Sequence, residues 1–281
     1  MTHVARLSNS AAAADAERRA RVERRLGASP FLAAPLRRLG YDSRELWAWD
    51  NYQASVLGFV DHCRMTGRHE GGLVRVLEIG GGRDPLMRPR EAADARIAYA
   101  VNDIDARELA MGPAEFEKVQ FDVAGVVDPT DLGRFDLVIS RMVMEHVRDA
   151  ERAWTSMCDL LAPGGVALAF HPTLYAPPFL INWLAPEALT APILRFFFAD
   201  RHDAECPKFP ARYELCTAEP GVVEPALRRA GFRQVLSAPF WGDRYFRHLP
   251  GLREANDALS AFAEARDWRR LASYAYTIAA K

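Results

Sequence analysis

The sequence predicts an α/β fold in which helices flank a mostly parallel β-sheet, and three observations support this. Short β-branched runs alternate with helical segments from about residue 74 onwards. A glycine-rich turn follows the first run directly, and acidic residues follow the second. Runs of this length between helices are typical of βαβ units. The glycine turn would then lie at the carboxyl edge of the sheet, where such folds open a ligand crevice.

Seven strands are expected, and the turn Pro163-Gly164-Gly165 leads into the fifth. The predicted strands are Val74–Ile79, Ile97–Val101, Lys118–Phe121, Phe135–Ser140, Val166–Phe170, Arg233–Ser237 and Ala272–Ala279. Helical patterns cover Ala11–Leu26, Arg44–Cys63, Ala150–Leu161 and Leu252–Leu271. We therefore predict an N-terminal helical cap over residues 1–70 and a sheet domain over residues 71–281. Residues 172–219 form an insertion before the sixth strand.

The composition excludes several classes of function. With 281 residues, 49% of them hydrophobic, the chain has material for a substantial core. Its 36 basic and 37 acidic residues create no overall field towards a phosphate backbone, so we expect no nucleic acid partner. The longest apolar stretch, residues 177–198, is interrupted by polar residues and prolines, so we expect no membrane span.

The four cysteines are scattered and form no pair with the spacing of a disulfide framework. The first residues also have no continuous apolar region typical of a signal peptide. Both observations favour a reduced, cytoplasmic location. His202, Cys206 and Cys216 are an alternative zinc site, but their spacing fits no common finger and a fourth ligand is unassigned. We therefore expect no metal.

The turn after the first strand reads Val76-Leu77-Glu78-Ile79-Gly80-Gly81-Gly82. Glycines at this point let the backbone approach a ligand closely. The dinucleotide form of the turn needs a third glycine, where this chain has Pro85, so a nicotinamide oxidoreductase is disfavoured. Proline is tolerated in the first turn of a helix, so a short helix starting at Pro85 is expected instead.

Acidic residues mark the end of the second strand, in Val101-Asn102-Asp103-Ile104-Asp105. A carboxylate there can accept both hydroxyls of a ribose. Asp103 is the first candidate for this role, and Asp105 is the second.

From about Leu73 to Lys281 the chain resembles the class I S-adenosylmethionine-dependent methyltransferases. Their first motif matches Val76 to Gly82, and Met144-Glu145-His146-Val147 resembles the sequel to their fourth strand. The resemblance implies a Rossmann-like sheet of order 3-2-1-4-5-7-6 with an antiparallel last strand. It implies S-adenosylmethionine as cofactor, with Asp103 on the ribose and Asp122 at the adenine edge. The candidate cofactor residues are Glu78, Gly80, Gly82, Asp103, Ile104, Asp122, Val123, Arg141 and Tyr52.

Methyl transfer from a sulfonium is an in-line displacement that needs no protein nucleophile, although an acceptor that loses a proton needs a base. The candidate bases follow strands four and five: Glu145, His146, His171 and Tyr175, with His171 slightly preferred. The alternative interpretation of Glu145 is a carboxylate in the first turn of a helix, where the helix dipole favours it. His146 has an alternative role as a packed, hydrogen-bonded histidine.

The insertion 172–219 is rich in proline and aromatic residues, among them Trp183, Phe196-Phe197-Phe198, Phe209 and Tyr213. It is interpreted either as a lid over a hydrophobic acceptor or as a satellite core or homodimer contact. The helix Arg44–Cys63 is predicted to cover the cofactor, with Tyr52 touching the methionine end of the cofactor. The alternative is that this helix simply packs on the sheet.

Methyl transfer to the oxygen or nitrogen of a small, hydrophobic acceptor is therefore the leading hypothesis for the function. A methyltransferase acting on protein or RNA is the first alternative, and a non-catalytic cofactor-binding module is another. The Ala- and Arg-rich composition is typical of proteins from GC-rich bacteria, in which such enzymes often modify secondary metabolites or glycolipids.

Overall fold

The computed structural model describes residues 16–17, 20–27, 29–41, 47–65, 72–184 and 210–281. Several sequence-based expectations fall outside these ranges: the start of the helix Ala11–Leu26, the aromatic residues Phe196–Phe198 and Phe209, and the zinc candidates His202 and Cys206.

A sheet of seven strands forms the centre of the molecule, in the order β3-β2-β1-β4-β5-β7-β6. β7 pairs antiparallel with β5 and β6, and the other pairs are parallel. The predicted order and the antiparallel last strand are therefore confirmed. The strands are β1 Val74–Ile79, β2 Ile97–Asp103, β3 Glu117–Gln120, β4 Phe135–Arg141, β5 Leu161–Pro172, β6 Gln234–Phe240 and β7 Tyr274–Ala280.

The central strands form because their apolar runs can be buried on both faces. Every residue of β7 is buried, and so is every residue of β4 except Arg141. Arg75 is the exposed residue of β1, and its backbone N–H donates to Asp136 Oδ2 at 2.8 Å. The Arg75 guanidinium also pairs with Asp136, with Nη2 3.1 Å from Oδ1. This pairing neutralises a buried carboxylate at the start of β4 and ties β4 to β1.

Nine helices surround the sheet in the described part of the chain, and residues 20–26 form a further helical segment. They are α1 Pro30–Arg38, α2 Trp47–Asp50, α3 Tyr52–Met65, α4 Pro89–Asp94, α5 Ala106–Met111, α6 Ala150–Leu160, α7 Pro177–Leu184, α8 Pro220–Arg229 and α9 Leu252–Ala265. Side-chain caps start several of them. Asp149 Oδ1, for example, accepts from the Arg152 N–H at 2.8 Å at the start of α6.

Three helix predictions need correction. In its described part, residues 47–63, the predicted helix Arg44–Cys63 is two helices, because Asn51 forms a turn between α2 and α3. The predicted helix Leu252–Leu271 ends at Ala265 and is followed by a short 3-10 turn. No helix starts at Pro85: residues 82–87 form turns, and the helix begins at Pro89 instead. The turns persist because the Leu86 N–H is held by Glu78 Oε2 at 2.8 Å.

The N-terminal helices pack on the sheet and share its apolar core. Leu36 of α1 and Phe59 of α3 are fully buried in the same cluster as the strands. Arg25 is 4% exposed; its Nε lies 3.0 Å from Asp267 Oδ1, and its guanidinium stacks 4.5 Å from the Trp241 ring centroid. The division into a cap over residues 1–70 and a sheet domain stays a prediction.

An insertion separates β6 from β7 at the carboxyl edge of the sheet, and it contains α9. Its base is anchored to β5, because the Thr173 N–H donates to the Ser273 carbonyl oxygen at 3.0 Å. Among the described residues, no helix is long and apolar enough to cross a membrane.

Candidate active site

The strand registers bring the predicted site residues to one edge of the sheet. Glu78 of β1 is level with Val101 of β2, and Ile79 is level with Ser140 of β4. The turn after β1 and the ends of β2 and β4 are therefore neighbours. This is the crevice position expected for a ligand in an open α/β sheet, beside the switch in strand order at β1 and β4.

Glu78 is the buried anchor of this edge, with 1% of its surface exposed. Its Oε2 accepts from the Leu86 N–H at 2.8 Å and from the Tyr99 hydroxyl at 2.7 Å. Burial raises the pKa of the Glu78 carboxyl, while the two hydrogen bonds act in the opposite direction. Glu78 thereby fixes the loop that leads from the glycine turn to α4.

The glycine turn leaves no room for side chains. Gly80 and Gly82 have φ values of +69° and +46°, in the left-handed region. A Cβ on Gly80 would lie 2.5 Å from Val143 Cγ2, and a Cβ on Gly82 would lie 2.8 Å from Asp103 Oδ2. The turn therefore closes directly against the carboxylate at the end of β2.

Asp103 is half-buried, and its Oδ1 accepts from the Asp105 N–H at 2.9 Å. Its Oδ2 is the atom that a Cβ on Gly82 would meet. Burial raises the pKa of Asp103. Ile104, which follows it, exposes 53% of its surface at the rim. An oxygen that faces a glycine cradle in this way can accept a hydrogen bond from a ligand hydroxyl.

Asp122 and Val123 lie beyond the end of β3. Asp122 is exposed, and its Oδ1 accepts from the Ala124 N–H at 2.9 Å, while Val123 is 6% exposed. Arg141 ends β4, and its Nη2 donates to the Asp84 carbonyl oxygen at 3.2 Å. These three residues lie after β3 and at the end of β4, and their roles at a cofactor stay a prediction.

Glu145 and His146 form a short 3-10 turn after β4. Glu145 is 4% exposed, and its Oε2 is buried without a partner among the described residues. Burial raises the pKa of Glu145 to about 8. His146 Nε2 lies 3.8 Å from Glu145 Oε1, and His146 Nδ1–H donates to the Pro210 carbonyl oxygen at 3.3 Å. Two titratable groups therefore sit side by side next to the glycine turn.

Backbone strain is concentrated around this pair. Met142, two residues before the 3-10 turn, has a φ of +57°, and so do Tyr213 and Leu215. The N–H groups of Arg212 and Tyr213 both donate to the Glu145 carbonyl oxygen, at 2.6 and 3.1 Å. Left-handed conformations of non-glycine residues cost free energy and cluster at functional sites. The segment 210–216 thus encloses Glu145.

His171 and Tyr175 are poorly placed to act as bases. His171 is 2% exposed; its Nδ1–H donates to the Pro172 carbonyl oxygen at 3.0 Å, and its Nε2 accepts from the Thr277 hydroxyl at 2.9 Å. Burial lowers the pKa of His171 to about 4. Both ring nitrogens are occupied, so the slight preference for His171 is not supported. The ring of Tyr175 instead stacks against the guanidinium of Arg270, whose Cζ lies 4.2 Å from the ring centroid.

Tyr52 is a core residue, which disfavours its predicted contact with a cofactor. Its side chain is 1% exposed, and its hydroxyl lies within hydrogen-bonding distance of the carbonyl oxygens of Ser140 (2.8 Å) and Leu168 (2.9 Å). The ring packs against Phe170 and Tyr276. The alternative reading of its helix, simple packing on the sheet, describes this arrangement better.

Sequence reasoning missed two contributors to the site. Gly81 donates its N–H to the Asn102 carbonyl oxygen at 2.9 Å, and a Cβ on it would lie 2.9 Å from Glu78 Oε2. Asn102 Nδ2 donates to the carbonyl oxygens of Val119 and Phe121, at 2.9 and 3.0 Å. The sequence contained a signal for both residues. Gly81 lies between the candidates Gly80 and Gly82 after β1, and Asn102 directly precedes the candidate Asp103 in β2.

Within the described residues, no group of three or more histidine, cysteine or acidic side chains could hold a metal. Cys216, the described member of the zinc alternative, is buried, and burial raises the pKa of its thiol well above its usual range.

Comparisons with known proteins agree with this geometry. The model of a methyltransferase domain family matches residues 19–204, which is more than half of the chain. A structure of a SAM-dependent methyltransferase from Archaeoglobus fulgidus has a TM-score of 0.51 at 16% identity, covering 83% of this chain and 94% of that one. At this identity it supports the fold alone.

Two further similar structures have larger chains. The CurJ carbon methyltransferase has a TM-score of 0.47 at 17% identity, covering 82% of this chain and 52% of that chain. Phosphoethanolamine N-methyltransferase 2 of Haemonchus contortus, in complex with S-adenosyl-L-methionine, has a TM-score of 0.49 at 14% identity, covering 83% and 52%. The chain thus spans about half the length of these two proteins.

The strand order, the glycine turn closed against Asp103 and the match of the family model over residues 19–204 lead to one assignment. The chain belongs to the methyltransferase domain family, the class I S-adenosylmethionine-dependent methyltransferases.

Proposed function

We propose that this chain transfers the methyl group of S-adenosylmethionine to an oxygen or nitrogen atom of a small, hydrophobic, natural-product-like acceptor. The observation that carries the proposal is the closure of the Gly80–Gly82 turn against Asp103 Oδ2, with no space for a side chain between them. Such a cradle suits close backbone approach to a ligand beside a carboxylate that can accept its hydroxyl groups.

The residues around the turn fit the cofactor of the family. Asp103 would accept the ribose hydroxyls, and the Gly80–Gly82 backbone would face the methionine part. Asp122 and Val123 would lie at the adenine edge, with Ile104 at the rim and Arg141 at the end of β4. Glu78 acts indirectly, because its hydrogen bonds to Leu86 and Tyr99 hold the turn in shape.

When bound, the cofactor supplies an electrophilic methyl group on a sulfonium, and the chain has to orient the acceptor and receive any proton it loses. Glu145 and His146 suit this second task, since they adjoin the turn through Val143. His146 is half-exposed, and donation of Nδ1–H to Pro210 leaves Nε2 as its basic atom.

An aromatic cluster supports a hydrophobic acceptor. Phe179 of α7 lies 5.2 Å from Tyr245 and 5.4 Å from Tyr274, measured between ring centroids. Trp49 lies 6.2 Å from Tyr274 and exposes 41% of its surface. The cluster stands at the carboxyl end of β5 and the amino end of β7, on the side of the crevice away from Asp103. We propose that it forms a wall of the acceptor site, with the described part of the insertion 172–219 contributing to the lid.

The proposal is tested by incubating the full chain with S-adenosylmethionine and a panel of hydroxylated and aminated aromatic compounds, with protein and RNA fractions in parallel. Mass spectrometry should find one added methyl group on a small molecule and formation of S-adenosylhomocysteine. His146→Ala should slow turnover of an acceptor that must lose a proton and shift the pH profile, while cofactor binding is retained.

Methylation confined to the protein or RNA fraction would instead establish the macromolecular alternative. Cofactor binding with no methylated product in any fraction would favour a non-catalytic binding module.

A further inference from the structure

A second polar site lies at the far end of the same sheet edge, after β6. There, the insertion between β6 and β7 folds back so that α9 faces the loop that begins at Gly242, and the two enclose a cleft of about 150 Å³. β4, β5 and β7 separate β6 from β1, so the cleft is distinct from the Gly80–Gly82 turn. Its charged and polar lining is Asp243, Arg244, Arg247, Arg253, Asn256 and Asp257.

The inner wall of the cleft is a buried hydrogen-bond network. Asp243 Oδ2 accepts from Asn256 Nδ2 at 3.1 Å and from the Ser273 hydroxyl at 3.5 Å, while its Oδ1 accepts from the Tyr245 N–H at 3.1 Å. Because the Asn256 amide nitrogen is held by a carboxylate, its carbonyl oxygen must point the other way. The orientation of Asn256 is therefore fixed.

The Asn256 carbonyl oxygen is unsatisfied. Asn256 is 5% exposed, and its Oδ1 is buried with no hydrogen-bond partner among the described residues. A buried polar atom without a partner is costly, so such atoms usually meet a ligand or water. Asn256 lines the cleft, so a hydrogen-bond donor bound there is one group that can satisfy this oxygen.

The mouth of the cleft is basic. Three exposed arginines, Arg244, Arg247 and Arg253, line it, compared with two acidic residues, Asp243 and Asp257. Arg253 is paired with Glu254, and Arg247 Nε donates to His248 Nε2 at 2.8 Å. Arg244 has no side-chain partner within the described ranges. An arginine fork at the mouth of a cleft suits a carboxylate or phosphate group.

We propose that this cleft binds a small organic anion, a carboxylate or a phosphate monoester, that also carries a hydroxyl or ammonium donor. The anionic group meets Arg244 and its neighbours, and the donor meets Asn256 Oδ1. Neither the methyl donor site nor methyl transfer is needed for this binding, so the site can be tested by itself.

The test is titration of the ¹⁵N-labelled full chain with O-phosphoserine, which combines a phosphate with an ammonium group, followed by NMR. The side-chain amide signal of Asn256 and the backbone signal of Gly242 should shift in a saturable way. Inorganic phosphate and ethanolamine, each holding half of the recognised groups, should bind at least about tenfold more weakly, as expected when a hydrogen bond to a charged group is lost.

Two variants locate the site. Arg244→Gln, at an exposed position, and Asn256→Leu, in the buried network, should each weaken phosphoserine binding at least about tenfold. The matched control Arg90→Gln, on exposed α4, should leave it unchanged. If Asn256→Leu does not fold, Arg244→Gln decides alone. The proposal is overturned if phosphoserine fails to bind at millimolar concentration, if Arg244→Gln binds it normally, or if inorganic phosphate binds as tightly.

Discussion

Substitution of Gly80 by alanine tests whether the glycine turn is as closely packed as the structure shows. The alanine would meet two costs. Its φ of +69° is unfavourable for any residue with a Cβ, by about 1–2 kcal/mol. The Cβ would also lie 2.5 Å from Val143 Cγ2, and overpacking of this kind typically costs about 1–3 kcal/mol. Gly80→Ala should therefore be destabilised by about 2–5 kcal/mol.

Gly40→Ala is the matched control. Gly40 has a φ of +68°, but a Cβ on it would meet nothing within 4 Å. Gly40→Ala therefore loses only the free energy that the left-handed backbone conformation costs an alanine. The effect of alanine on the unfolded chain is the same in both variants. The difference in unfolding free energy between the two variants therefore isolates the contact with Val143.

Chemical denaturation and thermal melting of both variants measure this difference. Each 1 kcal/mol lowers the melting temperature by roughly 2–4 °C in chains of this size class. Gly80→Ala should thus melt several degrees below Gly40→Ala, and it should lose affinity for S-adenosylmethionine, which Gly40→Ala should retain. Equal melting temperatures together with normal cofactor binding by Gly80→Ala would refute the reasoning.

Three further predictions concern buried polar groups. Burial raises the pKa of Glu145 from an ordinary 4.5 to about 8. Between these two pH values the folded chain keeps a proton that the unfolded chain releases. Raising the pH through this window therefore destabilises the folded state. Glu145→Gln should gain stability relative to the natural chain as pH rises through this window, by at most about 1.4 kcal/mol per pH unit in denaturant titrations; a constant difference would count against the buried acid. Tyr52→Phe should lose about 1–2 kcal/mol of stability with unchanged affinity for S-adenosylmethionine by calorimetry, whereas a loss of affinity would restore its predicted role at the cofactor. Thr277→Val should cost about 1–3 kcal/mol in thermal unfolding because it leaves His171 Nε2 without its donor, and a neutral effect would contradict the assigned tautomer.

The parts of the fold that depend on local pattern could be predicted from the sequence. β1 was expected at its observed bounds, because an apolar run that ends in three glycines has few other solutions in an α/β fold. Asp103 follows from the same logic, since the ends of parallel strands meet at one edge. The resemblance to a family added the strand order, which periodicity alone does not give.

The roles of individual polar residues could not be predicted, because they depend on distant parts of the chain. From the sequence, His171 was a reasonable candidate base. In the structure its Nε2 accepts from the hydroxyl of Thr277, which lies 106 positions further along the chain. Glu145 is enclosed by the segment 210–216, whose left-handed residues Tyr213 and Leu215 have no sequence signature. Burial and partner geometry decide these pKa values, and both are tertiary properties.

The site beside Asn256 shows the same limit. Asp243 lies shortly after the end of β6, and Asp103 is the last residue of β2, so a carboxylate near the end of β6 could have been noticed as well. Its partner Asn256 lies on α9, however, and the helical pattern does not reveal that α9 folds back over the loop.

Calorimetric titration of the full chain with S-adenosylmethionine and S-adenosylhomocysteine tests the central claim most directly. Asp103→Ala should bind both at least about tenfold more weakly, because it loses the carboxylate that faces Gly82, while Asp94→Ala, on exposed α4, should bind them as the natural chain does. NADH should not bind. Failure of the folded natural chain to bind either sulfur compound, or equal binding by Asp103→Ala, would contradict the assignment of the crevice.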